Sequence, residues 1–278
     1  MGDGRGIGAD TVFGEREVRF FGGIAYFCMA QRRKVCVMLE KTKGVVLYTT
    51  AYNDKWSVVH IYTELFGRTA YAVSLSSSRK AARLRTFFSP FAVLEMEVEH
   101  KPGRELQRIR EVQPLLVFQQ LPYDEAKRSL VLFLSEFLAR TIREPEANPP
   151  FFDFLVHSIQ ILDYLEEGKA NFHLCFLIQY SNFLGFYPNV EGYREGDYFD
   201  MMNGVFTSSL PGHGYFLYPE EARYFALLMR MNYQNLHLFK LSRTERWQIL
   251  ERVITYFRLH HPVLGTLRSL DVLRSLFD

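Results

Sequence analysis

The residues best suited to chemistry in this chain are cations and aromatic rings, interleaved between positions 41 and 110. Lys41, Lys43, Lys55, Arg68, Arg79, Lys80, Arg83, Arg85, Arg104, Arg108 and Arg110 alternate with Tyr48, Tyr52, Trp56, Tyr62 and Tyr71. Cations that follow phosphates and flat rings that stack on bases are the general means of holding single-stranded nucleic acid. Counterion release makes such binding salt-dependent and indifferent to sequence. Within the set, Arg79, Lys80, Arg83 and Arg85 have no acidic residue near them in sequence and are the strongest candidates for phosphate contact. A competing assignment keeps some of the tyrosines in a core and pairs Arg104, Arg108 or Arg110 with Glu95, Glu97 or Glu99 across a hairpin.

No other group is arranged for bond-making. The chain has no HExxH, no GxSxG and no phosphate-binding GK[ST] loop. His173 and Cys175 stand two apart on an apolar helical stretch, so they do not share a face and read as core residues rather than metal ligands. His260 and His261, ahead of Pro262, suit a helix C-terminus, where a cation favours the dipole. Glu166, Glu167, Glu191, Glu195 and Asp197 flank loops and are expected to form a solvated face. No catalytic residue, cofactor or metal is expected. A nuclease is disfavoured by the lack of a carboxylate cluster for metal ions.

The elements that must position the cations change character along the chain. Residues 42–50, 56–65 and 69–76 are runs of Val, Ile, Tyr and Thr broken by Asn53-Asp54 and by Gly67, which predicts a meander. In 91–100, Leu94, Met96 and Val98 alternate with Glu95, Glu97 and Glu99, and a Lys101-Pro102-Gly103-Arg104 turn leads into a partner strand at 105–112. Five such strands suit a small closed barrel of the OB kind. After Pro122 the period becomes helical: helices are predicted at 124–142, 148–167, 170–184, 220–231, from Ser242 (where Ser242 and Glu245 form a capping box) and at 267–277. A loop-rich stretch at 185–219 carries a small hairpin around Asn203-Gly204. The expected class is α+β, with a five-stranded OB-fold barrel at 38–118 and a helical domain at 119–278.

The 278 residues carry a net charge of only +2, but the total hides a division: 41–116 has a surplus of +5, and 117–278 stands at −4. A basic front and an acidic rear imply different partners, with a polyanion for the front. Cys28, Cys36 and Cys175 lack CxxC pairing, which argues against a disulfide framework or zinc knuckle and fits a reducing, cytoplasmic setting. The uncharged stretch 170–190 contains Asn171, His173, Gln179, Ser181 and Asn182, so it is not expected to cross a membrane. Residues 1–37 read as a non-targeting extension, consistent with an early start codon, because Met38 opens a more protein-like start.

The succession TKGVVLYT, Tyr62-Thr63-Glu64-Leu65-Phe66-Gly67-Arg68, Ser78-Arg79-Lys80, Ser89-Pro90-Phe91 and Leu106-Gln107-Arg108-Ile109 resembles the RecO family of DNA repair and recombination proteins. ANFHLCFLIQYSNFLGFYPN, YFDMMNGVF and GTLRSLDVLRSL extend the resemblance rearward and are similar to Bacteroidetes members. The resemblance covers the chain from about Met38 onward. It implies an N-terminal OB-fold, a helical domain, and a mediator that binds single- and double-stranded DNA and anneals complementary strands. It also implies work with RecR to load RecA onto DNA coated by the single-strand-binding protein, SSB. DNA-binding candidates are then Lys43, Lys55, Arg68, Arg79, Lys80, Arg83, Arg85, Arg104, Arg108, Arg110, Tyr48, Trp56 and Tyr62.

Two departures from the family pattern stand out. Many members carry a four-cysteine zinc module where 185–206 has no cysteine here, so no zinc site is carried over. Some have paired arginines, associated with docking the acidic SSB tail, where Asn171 and Phe172 stand; Lys169 or Arg128 are the nearest substitutes. The alternative function is a helical protein-interaction adaptor without a DNA role, in which Phe172, Phe176 and neighbouring Phe151, Phe152 and Phe183 line a peptide groove; core packing is the commoner use of such residues, and the helix at 170–184, apolar nearly all round, is expected to be central.

Overall fold

The computed structural model describes residues 38–74, 86–142 and 146–276. Five strands, β1 (Met38–Asn53), β2 (Trp56–Thr63), β3 (Gly67–Ser74), β4 (Val93–His100) and β5 (Leu106–Pro114), close into a barrel in the order β1-β2-β3-β5-β4. All pairs are antiparallel except β3 with β5. This is the expected five-stranded OB-type barrel. β1 is longer than its apolar run predicts because it closes the barrel alone, pairing β4 through Met38–Val45 and β2 from Gly44 onward. Gly44 stands where the two ladders meet: a Cβ there would lie 2.5 Å from Ile61 Cγ2 and 2.7 Å from Met96 Cε, so no larger residue fits.

Alternation sorts the barrel's apolar residues into two cores. Val46, Val59, Ile61, Tyr71, Leu94, Met96 and Val98 fill the interior. Val45, Leu47, Tyr62, Phe91 and Val93 point outward instead, into a core shared with the helices. A strand buried on both faces reads as an unbroken apolar run, which is why Val45, Val46 and Leu47 are consecutive.

The helical part comprises α1 (Glu125–Thr141), α2 (Pro149–Tyr164), α3 (Phe172–Phe183), α4 (Pro219–Leu228), α5 (Arg243–His260) and α6 (Ser269–Leu276). The helices are capped: Asn148 accepts from Phe151 N ahead of two prolines and the Ser242–Glu245 box is reciprocal, both as the sequence predicts, and Asp124 accepts from Lys127 N as well. Between α3 and α4 lie β6 (Tyr198–Asp200), β7 (Val205–Thr207) and β8 (Phe216–Leu217), in the order β7-β6-β8. The hairpin around Asn203-Gly204 is found. Its third strand is only two residues long, too short to leave a periodic signal.

Two connections bind barrel to helices. The Asp163 carboxylate of α2 accepts from the backbone N–H groups of Gln119, Gln120 and Leu121 at 2.7–3.0 Å. Burial pushes its pKa up, but those three donors, with Lys127 nearby, outweigh it and hold the carboxyl below its ordinary value. Lys127 is fully buried alongside, donating to Gln120 Oε1 and Asp163 O at 2.7 Å each. On the barrel wall, Arg68 donates to the carbonyls of Ala139 (2.9 Å) and Ile142 (2.5 Å) at the C-terminus of α1, and to Tyr48 Oη at 2.9 Å. The guanidinium thus satisfies carbonyls that the end of a helix leaves without partners.

Candidate nucleic-acid interface

The open face of the barrel is a cleft of about 600 Å³ across β2, β3 and β5, lined by Trp56, Ala72, Val73, Ser74, Phe88, Arg108, Ile109, Arg110, Glu111 and Val112. Register explains the convergence: Trp56 opens β2 opposite Ser74, the last residue of β3, while Ala72 pairs with Arg108 in the parallel ladder. Trp56 is 43% exposed, a large area for an indole in a folded chain. It is held at the turn by Asn53, whose Oδ1 accepts from the backbone N–H groups of Lys55 and Trp56 at 2.9 Å each. Lys55, the residue before it in that Asx turn, is exposed.

On β5, Arg108 and Arg110 project to solvent on one strand. The Arg110 guanidinium pairs with the buried carboxylate of Glu99, yet 58% of its side chain stays exposed. Pairing across the hairpin, the competing assignment, is therefore realised for Arg110, and Glu99 fixes the direction in which this arginine points. Arg104 is exposed in the turn before β5, where its carbonyl accepts from Gln107 Nε2.

Other candidates lie elsewhere. Lys43 stands on β1 against Glu64 at 3.6 Å and opposite Glu95, on a wall where Lys41, Glu95, Glu97 and Glu111 gather. Among the described residues the cations of the barrel are thus unevenly spread. Arg68 is engaged with α1, and Tyr48 stacks on His60 with ring centroids 4.2 Å apart. Tyr62 is 2% exposed and packs edge-on against Phe151, so no base reaches its face. Arg79, Lys80, Arg83 and Arg85 fall outside the described residues, as do residues 1–37; Ser74 and Phe88, on either side of that basic run, both line the cleft.

In the helical part, Arg128 is exposed and Lys169 is paired with Asp124 at 2.5 Å. Phe172 and Phe176, expected as groove residues, are 1% and 0% exposed. They build the core because α3 is apolar nearly all round and is covered on every side. Asp197, expected on a solvated face, is buried, and its carboxylate accepts from Arg194 N.

A second cavity, of about 230 Å³, lies between α3, α5 and α6 and is lined by His173, Arg243, Thr244, Arg246, Trp247, Leu250, Leu273 and Arg274. Arg246 donates to Asn171 Oδ1 at 3.1 Å and Leu241 O at 3.0 Å, and Arg274 lies 5.1 Å above the Trp247 ring. His173 is completely buried; desolvation, then the nearby Arg246 charge, lowers its pKa to about 3, so it is neutral at physiological pH. Burial likewise pushes the Cys175 thiol up to about 12, removing it from thiolate chemistry. Three guanidiniums around an apolar floor, with no carboxylate among the described lining residues, suit an acidic ligand carrying an apolar group. The sequence offered one clue, Arg243, Arg246 and Trp247 at the start of a capped helix. Arg274 comes from another helix and had none.

The Asp200 carboxylate braces the loop-rich insertion, accepting from Met202 N, Asn203 N and Asn203 Nδ2, with His213 Nε2 at 3.2 Å. No group of three His, Cys, Asp or Glu side chains suited to a metal ion is found among the described residues. No helix among them is long and apolar enough to cross a membrane.

Two family models match the chain: Recombination protein O N terminal over residues 38–118 and Recombination protein O C terminal over 123–270. Curated relatives named DNA repair protein RecO are similar over nearly the whole described part. The Phocaeicola vulgatus protein is 49% identical over 241 residues, covering 87% of this chain and 100% of its own length. Those of Bacteroides fragilis and Porphyromonas gingivalis are 47% and 36% identical, with the same coverage.

Proposed function

Because the chain belongs to the RecO family of DNA repair proteins, we propose that it binds single- and double-stranded DNA through the open barrel face and anneals complementary strands. The observation that carries this reading is the convergence of Trp56, Arg108 and Arg110 on one cleft. A stacking ring beside guanidiniums holds a strand without reading its sequence. Annealing requires no covalent step: cations screen two phosphate backbones while the bases pair, so the protein acts as a mediator rather than an enzyme. In the cell this activity would serve, with RecR, to load RecA onto SSB-coated DNA in the cytoplasm, at the nucleoid.

For the acidic SSB tail, the arginine-lined cavity fits better than Lys169 or Arg128. Lys169 is already paired with Asp124, and Arg246 stands against Asn171 with Arg243 and Arg274 lining the same cavity.

The test is annealing of complementary oligonucleotides followed over a range of salt. Acceleration at low salt that fades as salt rises supports the reading. No acceleration, or acceleration indifferent to salt, defeats it.

A further inference from the structure

The arginine-lined cavity is made by three helices that differ in how they are held. α3 and α5 are built into the helical core through Leu174, Leu177, Ile178, Leu250, Val253 and Phe257. α6 has only eight residues, packs chiefly on α1, and supplies Leu273 and Arg274 to the cavity. Leu270 of its first turn packs against the core, and among the described residues one side chain hydrogen-bonds that turn, Glu136 of α1. Oε2 accepts from Ser269 N at 2.8 Å and Ser269 Oγ at 2.5 Å. Oε1 accepts from Arg268 N at 3.1 Å and from Arg140 at 2.7 Å. Ser269 and Leu273 are four residues apart and share the face toward α1, while Arg274, one residue further round, reaches over Trp247 of α5. Fixing residue 269 therefore fixes one wall of the cavity.

We propose that Glu136 is a positioning residue for the acidic-ligand cavity: by docking the start of α6 onto α1, it holds Leu273 and Arg274 against Trp247. This rests on the reading of that cavity as a site for an acidic peptide. It adds a residue that does not line the cavity and stands 132 to 133 positions from the backbone groups it holds. The same helix α1 meets the barrel through Ser135, which donates to Leu47 O, and through Ala139 O, which accepts from Arg68. α1 is thus the spine that carries both the barrel and one wall of the cavity.

Both Glu136 oxygens act as acceptors, so Glu136→Gln turns one of them into a donor facing donors. Ser269→Ala removes a single bond and serves as the milder variant. The probe is a labelled peptide, a short aspartate run ending in phenylalanine, followed by fluorescence anisotropy. Expected are binding by the unmodified protein, losses of roughly tenfold for Glu136→Gln and Arg274→Ala alike, a smaller loss for Ser269→Ala, and no further loss in the Glu136→Gln/Arg274→Ala double variant. A loss for Arg274→Ala with unchanged binding by Glu136→Gln overturns the proposal. So does additivity of the two. If the unmodified protein binds no peptide, the cavity reading falls, and the positioning role is then decided by Trp247 emission in a Trp56→Phe background. Glu136→Gln must shift that emission as Arg274 leaves the ring, and an unchanged spectrum rejects the role.

Discussion

The barrel uses the same residue types on two faces for opposite ends. On the open face, Trp56, Arg108 and Arg110 line a cleft and keep much of their surface in water. On the sealed face, Tyr62 packs against α2, Arg68 caps the end of α1, and Tyr48 is engaged by Arg68 and His60. An arginine and an aromatic ring bring both apolar area and directed donors, so they serve equally to hold a strand or to hold a helix end. What separates the two uses is whether another part of the chain covers the face.

This contrast can be broken from either side. The largest effect is expected at the sealed face. Arg68→Ala leaves the carbonyls of Ala139 and Ile142 and the Tyr48 hydroxyl without their donor, and should cost about 2–4 kcal/mol of stability in a denaturant titration. Oligonucleotide affinity of the folded protein should change less than about twofold, and a large loss of affinity would move Arg68 to the DNA interface.

At the open face the pattern reverses. Trp56→Ala should weaken single-strand binding by about 1–3 kcal/mol while leaving the melting temperature near that of the unmodified protein. A melting temperature that falls with affinity would instead make Trp56 a structural residue. Arg108→Ala should reduce the slope of log affinity against log salt by about 0.7 if it meets one phosphate of a single strand. Lys43→Ala, on the acidic wall, should leave the slope unchanged.

The smallest effect sharpens the account of the sealed side. Asp163, Glu136 and Asp124 all titrate below their ordinary values in the fold, because the N–H groups and cations facing them outweigh their burial. A carboxyl depressed in the fold contributes stability above its unfolded pKa, ordinarily near 3.8 for Asp, and loses it as pH falls through the folded value. Stability should therefore fall as the medium is acidified below about pH 4. Asp163→Asn should be less stable than the unmodified protein at neutral pH, with the gap narrowing as acid is added; a constant gap would show that charge is not what Asp163 contributes.

Much of this was legible in the sequence. Alternation in 91–100, the turn residues at Asn53-Asp54 and Gly67, the Asn148-Pro149 start and the Ser242–Glu245 box are local rules, and the elements they mark are present within a few residues. Trp56, Lys55, Arg108 and Arg110 were among the candidates because composition and order suffice to nominate a basic, aromatic strand set. Tyr62 and Arg68 were nominated on the same grounds, and no local pattern told them apart. Phe172 and Phe176 were candidates for a groove only under the adaptor alternative, and their burial follows the all-round apolarity that marks their helix as central.

The sequence by itself determined the elements, their order, the barrel's strand count and the chemical types available to it, since period, capping and turn chemistry act over a few neighbouring residues. Only the tertiary structure decided which cations face water. Arg68 is turned inward by a helix end some seventy residues away, Arg110 is aimed by a carboxylate across a hairpin, and Arg274 meets Arg243 and Trp247 from another helix. Exposure and charge pairing are set by whichever distant surface arrives, and that is a property of the packed chain rather than of any stretch within it.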